Sequence, residues 1–225
     1  MISPILANIY LHEVLDEWFA RQVAPRLAGR AVLVRYADDL LIIFAYERDA
    51  RRVLDVLPKR LAKYGLTLHP EKTRLINFER PDRRSPTSHD DNGDGCSRPG
   101  TFDLLGFTHY WAMSRKGYWV VKQKTATDRL RRSIKRITVW CRLHRHEPVN
   151  EQWTALRRKL LGHFAYFGIT GNYQALHNFS VRVVAAWQKW LSRRSQRAWI
   201  SREKMTRLLE RYPLPQPRLR TSPVT

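Results

Sequence analysis

The stretch Ala31–Phe44 constrains this chain more than any other. Two apolar, β-branched arms flank a very short Ala37-Asp38-Asp39 break, the pattern of a β-hairpin whose tip holds two adjacent carboxylates. Two strands so apolar are expected to be buried, which would present the pair at a fixed place. No basic residue lies inside the turn, so the two like charges repel. A divalent cation relieves that repulsion, and hard carboxylate oxygens suit Mg²⁺. Taken alone, the pattern is more often that of an ordinary acidic hairpin turn.

Charge divides the chain. Residues 1–114 carry 16 Lys and Arg against 15 Asp and Glu, whereas residues 115–225 carry 25 against 5. Nearly all of the +21 formal charge therefore belongs to the second half, interleaved with Trp, Tyr and Phe. Such a density repels itself until a polyanion neutralises it, and nucleic acid is the expected partner. An acidic membrane surface is disfavoured, because no lipidation motif, interfacial anchor or apolar run of spanning length accompanies the charge. Two cysteines, Cys96 and Cys141, are too few for a disulfide framework, and a reducing cytoplasmic location is expected.

Read in order, Ser3-Pro4 opens a helix whose apolar face runs through Leu6, Ile9, Tyr10, Val14, Leu15, Trp18 and Phe19. After the hairpin, a helix is expected over roughly Glu47–Tyr64, kinked or divided at Pro58 and ended by Gly65. Leu66–Leu68 and Arg74–Phe78 read as short strands around a His69–Lys72 turn. Residues 80–100 lack apolar periodicity and are expected to form a disordered insertion. A second hairpin follows, from Thr101–Trp111 through a Ser114–Gly117 turn to Tyr118–Lys122. From about Thr125 the apolar period becomes helical, giving four helices, the second with Asn150 as a candidate N-cap and the fourth starting near Ser201. The residues after Tyr212 read as a disordered, Pro-rich tail. The fold class is α+β, with an all-α basic bundle as its second part.

These residues together resemble a family. Ile2–His12 and Arg35-Tyr36-Ala37-Asp38-Asp39 are similar to consecutive blocks of bacterial group II intron-encoded reverse transcriptase/maturases. His69–Thr73 and Phe102–Phe107 resemble the next two blocks, and Gly162–Gly168 with Pro213–Arg218 resembles the maturase-specific thumb, domain X. The resemblance implies a partial reverse transcriptase palm over 1–123, an antiparallel sheet with packing helices, then an all-α thumb bundle over 124–212 and a tail over 213–225. It implies RNA-directed DNA synthesis by two-metal phosphoryl transfer, with group II intron RNA and an RNA template with its DNA primer as partners. Asp38 matches the metal-binding carboxylate of the YxDD motif, with Asp39 beside it, and Tyr36 is placed near the primer end. Lys72 falls where such polymerases place a cation near the leaving phosphate; a surface lysine paired with Glu71 is the alternative.

In the family, fingers and a first palm strand bearing another metal-binding Asp precede the block where this chain begins. Asp16 and Glu17 are on a helix, not a palm strand, and are not assigned that role. The Mg²⁺ site is thus expected to be incomplete, and the chain inactive alone unless a second chain supplies the missing palm and fingers. A valine codon read as a start, or a truncated intron remnant, would account for this beginning. The basic helices are the expected surface for RNA phosphates, through Arg129, Arg131, Arg132, Lys135, Arg136, Arg157, Arg158, Lys159, Arg193 and Arg194. The alternatives are a non-catalytic RNA-binding maturase remnant and a decayed intron reading frame. Cys141, His144 and His146 have no convincing fourth zinc ligand and lie beside Arg142 and Arg145. His163 is expected to serve packing or RNA contact, not catalysis.

Overall fold

The computed structural model describes residues 3–81 and 100–219. The chain divides into two compact units, Met1–Leu105 and Gly106–Thr225. Both mix helices with small antiparallel strands, and six α-helices are present among the described residues. None of these helices is long and apolar enough to cross a membrane.

Unit 1 opens with α1, Ser3–Leu11. The expected single helix does not continue regularly: His12–Glu17 and Phe19–Val23 widen to π geometry, and Ala24–Arg26 tightens to a 3₁₀ turn at Pro25. The apolar face is split accordingly. Ile5, Leu6 and Ile9 of α1 are each more than half exposed, while Val14, Leu15 and Phe19 of the π segments and Trp18 between them are buried. Strands β1 (Ala31–Tyr36) and β2 (Asp39–Phe44) pair antiparallel. Helix α2, Glu47–Ala62, buries Leu57 and Leu61 against the π segments and the inner hairpin face. Pro58 does not divide α2; it lies on the exposed side, where the continuous apolar face opposite holds the helix together. Gly65 ends it with φ +68°, as Leu66 N–H reaches back to Leu61 O at 3.0 Å.

Buried Asp49 joins α2 to the hairpin entry. Its Oδ2 accepts from Ala28 N–H at 2.9 Å and Gly29 N–H at 3.0 Å. The His69–Lys72 turn is formed, with Lys72 and Thr73 N–H both bonded to His69 O at 3.1 Å. Its two flanks are not strands, because no ladder partner faces them among the described residues. Asn77 O instead accepts from Gly100 N–H, and Phe78 meets Phe102 of the short β3, Phe102–Leu104, edge to face at 5.0 Å. Residues 82–99 of the expected insertion lie outside the described residues.

Unit 2 begins at Gly106, which has positive φ, as does Leu105. Strands β4 (Phe107–Met113) and β5 (Trp119–Thr125) pair with each other, and Phe107 packs on Tyr166 and Phe167 of the helices. Unit 2 therefore carries this hairpin as well as four helices. Helices α3 (Thr127–Leu143), α4 (Val149–Phe167), α5 (Tyr173–Leu191) and α6 (Arg202–Arg211) enclose a core that includes Cys141, Leu156, Leu160, Phe179 and Trp187. Asn150 is inside α4, not at its cap, whereas the Ser201 side chain caps α6 by accepting from Lys204 N–H.

Two buried amides hold this unit together. Gln152 accepts from Trp187 Nε1 at 2.9 Å and donates to Glu147 O at 2.9 Å. Asn172 bridges β5 and the end of α4, bonding Thr125 and Phe167. The expected disordered tail is corrected for residues 213–219. Leu214 is buried in the core, and Pro213 O accepts from Trp153 Nε1 at 2.9 Å. A Pro-rich segment still docks when one leucine and one carbonyl find buried partners. Residues 220–225 lie outside the described residues.

Candidate functional site

The tip of the β1–β2 hairpin is set by its register. Leu33 faces Ile42, Arg35 faces Leu40 and Tyr36 faces Asp39, leaving Ala37 and Asp38 as a two-residue turn. Ala37 has φ +53° while Asp38 does not have positive φ, the sign pattern of a type II′ hairpin turn. Glycine is the usual residue at the first position of that turn, so Ala37 holds a strained conformation costing about 1–2 kcal/mol. Only one hairpin face is covered, its residues half-buried. Leu33, Leu40, Ile42 and Phe44 pack on the unit 1 core, whereas Val32, Val34, Tyr36 and Ile43 are exposed. The expectation that both strands are buried is corrected: a two-stranded ribbon covered from one side leaves alternate residues open.

Asp38 and Asp39 are both exposed, and their carboxylates make no hydrogen bond or ion pair with any described residue. Two adjacent, uncommitted carboxylates fit Mg²⁺, which commonly keeps several waters and takes one or two carboxylates with phosphate oxygens. Among the described residues no group of three or more His, Cys, Asp and Glu gathers for a metal. Tyr36, 66% exposed, projects on the open hairpin face beside Asp39 in the ladder. Lys72 is exposed in its turn and forms neither an ion pair with Glu71 nor a hydrogen bond with the Asp pair.

A network under the tip was not anticipated from the sequence. Arg35 Nε reaches Asp16 Oδ1 at 2.9 Å and Oδ2 at 3.1 Å, and Nη2 reaches Oδ2 at 2.7 Å. Its Nη1 donates to Asn8 Oδ1 at 2.9 Å and to Ala37 O at 3.2 Å. The Arg35 hydrogen bonds hold the Asp16 carboxyl below its usual range despite the opposing effect of burial. Asp16, set aside as a metal ligand, is thus committed to an arginine. His12 Nδ1 lies 3.3 Å from the same carboxylate.

On unit 2, Arg129, Arg131, Arg132, Lys135 and Arg136 are exposed on α3, and Arg157, Arg158 and Lys159 on α4. Arg131 is 3.6 Å from Asp128, an exposed pair of little energetic weight. Lys159 lies over the Trp140 ring at 5.3 Å, which brings this part of α4 beside α3. Arg193 is exposed and stacks over Trp190 at 5.3 Å. Arg194 differs from the others. It is half-buried, Nη2 donates to Glu147 O at 2.7 Å, and Nε is buried without a partner. Burial lowers its pKa, and its guanidinium is directed to the protein backbone.

Cys141 is fully buried, and burial pushes its thiol pKa up to about 12. His144 Nδ1 pairs with Glu147, and Arg145 Nε donates to His146 Nε2 at 3.0 Å, so these three residues do not converge on a cation. His163 stacks on Phe179 with ring centroids 3.7 Å apart and also lies against Phe167. Its Nε2 is buried without a hydrogen-bond partner, and burial lowers its pKa to about 4. This is a packing histidine.

Residues 1–109 match the family model of reverse transcriptases, RNA-dependent DNA polymerases. The match spans unit 1 and the start of β4, and includes the Asp38–Asp39 tip. This part of the chain is similar to reverse transcriptases. No curated protein sequence matches.

Proposed function

We propose that this chain is part of a group II intron-encoded reverse transcriptase/maturase of bacterial type. Unit 1 contributes carboxylates to RNA-directed DNA synthesis, and the basic helices of unit 2 hold intron RNA and the template–primer duplex. The observation that carries this reading is the uncommitted Asp38–Asp39 pair at a hairpin tip within the reverse transcriptase match. Bound Mg²⁺ would supply activation of the primer hydroxyl and charge stabilisation of the departing pyrophosphate. Asp38 and Asp39 would hold it, Tyr36 would lie against the primer end, and Lys72 would meet the leaving phosphate. Exposed Arg129, Arg131, Arg132, Lys135, Arg136, Arg157, Arg158, Lys159 and Arg193 would meet RNA phosphates and set position more than sequence.

A second reading is a non-catalytic RNA-binding maturase that steadies folded intron RNA. The nine exposed cations named on α3, on α4 and after α5 favour it, since phosphate contacts need no metal site. One experiment separates the readings. The purified 225-residue chain and its Asp38→Asn form are assayed for binding to structured RNA and for Mg²⁺-dependent primer extension. Salt-sensitive RNA binding that survives Asp38→Asn, with no extension, supports the maturase reading. Robust extension abolished by Asp38→Asn supports a polymerase. Absence of both removes the proposal.

A further inference from the structure

We infer that Arg35, clamped by Asp16 and Asn8, is a positioning residue for the Asp38–Asp39 pair. It selects the conformation of the turn from which the two carboxylates project. The inference rests on the reading of that pair as a metal-binding site.

Type I′ and type II′ hairpin turns share a positive φ at the first central residue and differ by a flip of the central peptide. Here that peptide carries Ala37 O and Asp38 N. A peptide unit is planar, so fixing its carbonyl fixes the plane that also carries the Asp38 nitrogen. Arg35 Nη1 donates to Ala37 O at 3.2 Å, on the very peptide whose flip would drive Asp38 to positive φ. The tip sequence has no glycine to settle the matter by itself, because Ala37 occupies the left-handed position.

The guanidinium can act this way only if it is itself immobile. Three contacts to Asp16 and one to Asn8 hold it between the π segment and α1, and its side chain is only 13% exposed. All three guanidinium nitrogens are engaged, so no rotation preserves the set. A lysine would keep the charge and lose the fork. The two helical anchors precede the tip by more than 20 residues, so the tip geometry is dictated by the folded unit and not by the turn sequence.

The test uses the full chain. In metal-free protein, ¹⁵N relaxation dispersion is expected to be flat at Ala37–Asp39 in the wild type. In Arg35→Lys and Asp16→Asn, exchange or doubled peaks should appear at these residues, with Leu33 and Ile42 unchanged. Mn²⁺ titration by electron paramagnetic resonance should give an affinity that Asp38→Asn lowers and that Arg35→Lys lowers about tenfold, as removal of an outer-shell support does. Arg51→Gln, which breaks the exposed pair with Glu47 on α2, should change neither reading. A quiet tip in Arg35→Lys overturns the inference. So does a mobile tip with unchanged Mn²⁺ affinity, because the clamp would then be structural only. Mn²⁺ affinity absent from the wild type removes the metal reading and this role with it, a failure distinct from the other two. Should Arg35→Lys fail to fold, Asn8→Ala keeps the Asp16 pair, and a tip and affinity unchanged in that variant overturn the inference.

Discussion

Asn172 and Thr125 are 47 residues apart in sequence and bonded twice: Thr125 N–H donates to Asn172 Oδ1 at 2.8 Å, and Asn172 Nδ2 donates to Thr125 Oγ1 at 2.8 Å. The same Nδ2 also donates to Phe167 O at 2.8 Å, and the Asn172 side chain is buried. One amide thus ties the end of β5 to the connection between α4 and α5. Asn172→Ala strands a buried N–H and a buried carbonyl, at about 3 kcal/mol. Asn172→Asp keeps the acceptor, loses both donors and buries a charge, so it should destabilise at least as much at neutral pH. Thr125→Val removes only the hydroxyl and should cost about 1 kcal/mol. Urea midpoints of the three variants check this order.

Ala37 carries φ +53° at the first turn position. Ala37→Gly removes a left-handed penalty of about 1–2 kcal/mol and adds unfolded-chain entropy of about 0.4–1 kcal/mol. The net expectation is an unchanged or slightly raised thermal midpoint. A β-branched side chain is far worse in this region, so Ala37→Val should lose about 2 kcal/mol. Calorimetry on the two variants separates relief from strain; a midpoint lowered equally by both would contradict the turn assignment.

Local rules made much of this legible before the fold. The hairpin followed from apolar arms around Ala37–Asp39, the α2 stop from Gly65, and the α6 start from Ser201. What escaped were features decided by partners distant in sequence. Arg35 and Asp16 are 19 residues apart on different elements, and neither position has a pattern that announces the other. Leu214, in a Pro-rich stretch without periodicity, gave no sign of its buried contacts. The π geometry of His12–Val23 was equally hidden, since apolar residues there fit ordinary helical spacing. At the candidate site the sequence placed the carboxylate pair at a tip, but not the clamp beneath it or the open face beside it.

His163 binds fewer protons in the native state than unfolded between about pH 6.5 and pH 4, because burial lowers its pKa to about 4. Stability therefore rises with pH across that window. The contribution is fully present above about pH 6.5 and is lost as pH falls toward 4, by about 2 kcal/mol after allowance for partial solvent contact. His163→Phe keeps an aromatic stack on Phe179 and removes the unpartnered Nε2. Its stability should be nearly flat over the same window, read from denaturant unfolding at stepped pH. A wild-type slope that persists in the variant would assign the effect to other groups.

Adjacent arginines offer the sharpest separation of binding from folding. Arg193 is exposed over Trp190, whereas Arg194 is half-buried with Nη2 on Glu147 O. A phosphate contact depends on salt, since each neutralised phosphate releases condensed counterions and steepens log K against log salt by about 0.7–0.9. Arg193→Gln should therefore weaken binding to structured RNA and reduce that slope by about one unit or less, with the urea midpoint unchanged. Arg194→Gln loses a charge-assisted bond to a backbone carbonyl and should cost about 1–3 kcal/mol of stability. Its RNA slope should stay at the wild-type value at temperatures where it is folded. The opposite pattern, with the slope falling in Arg194→Gln and stability in Arg193→Gln, would mean that the helix-end arginines exchange roles when RNA binds. Fluorescence anisotropy at stepped KCl, run beside unfolding curves on the same preparations, decides between these outcomes.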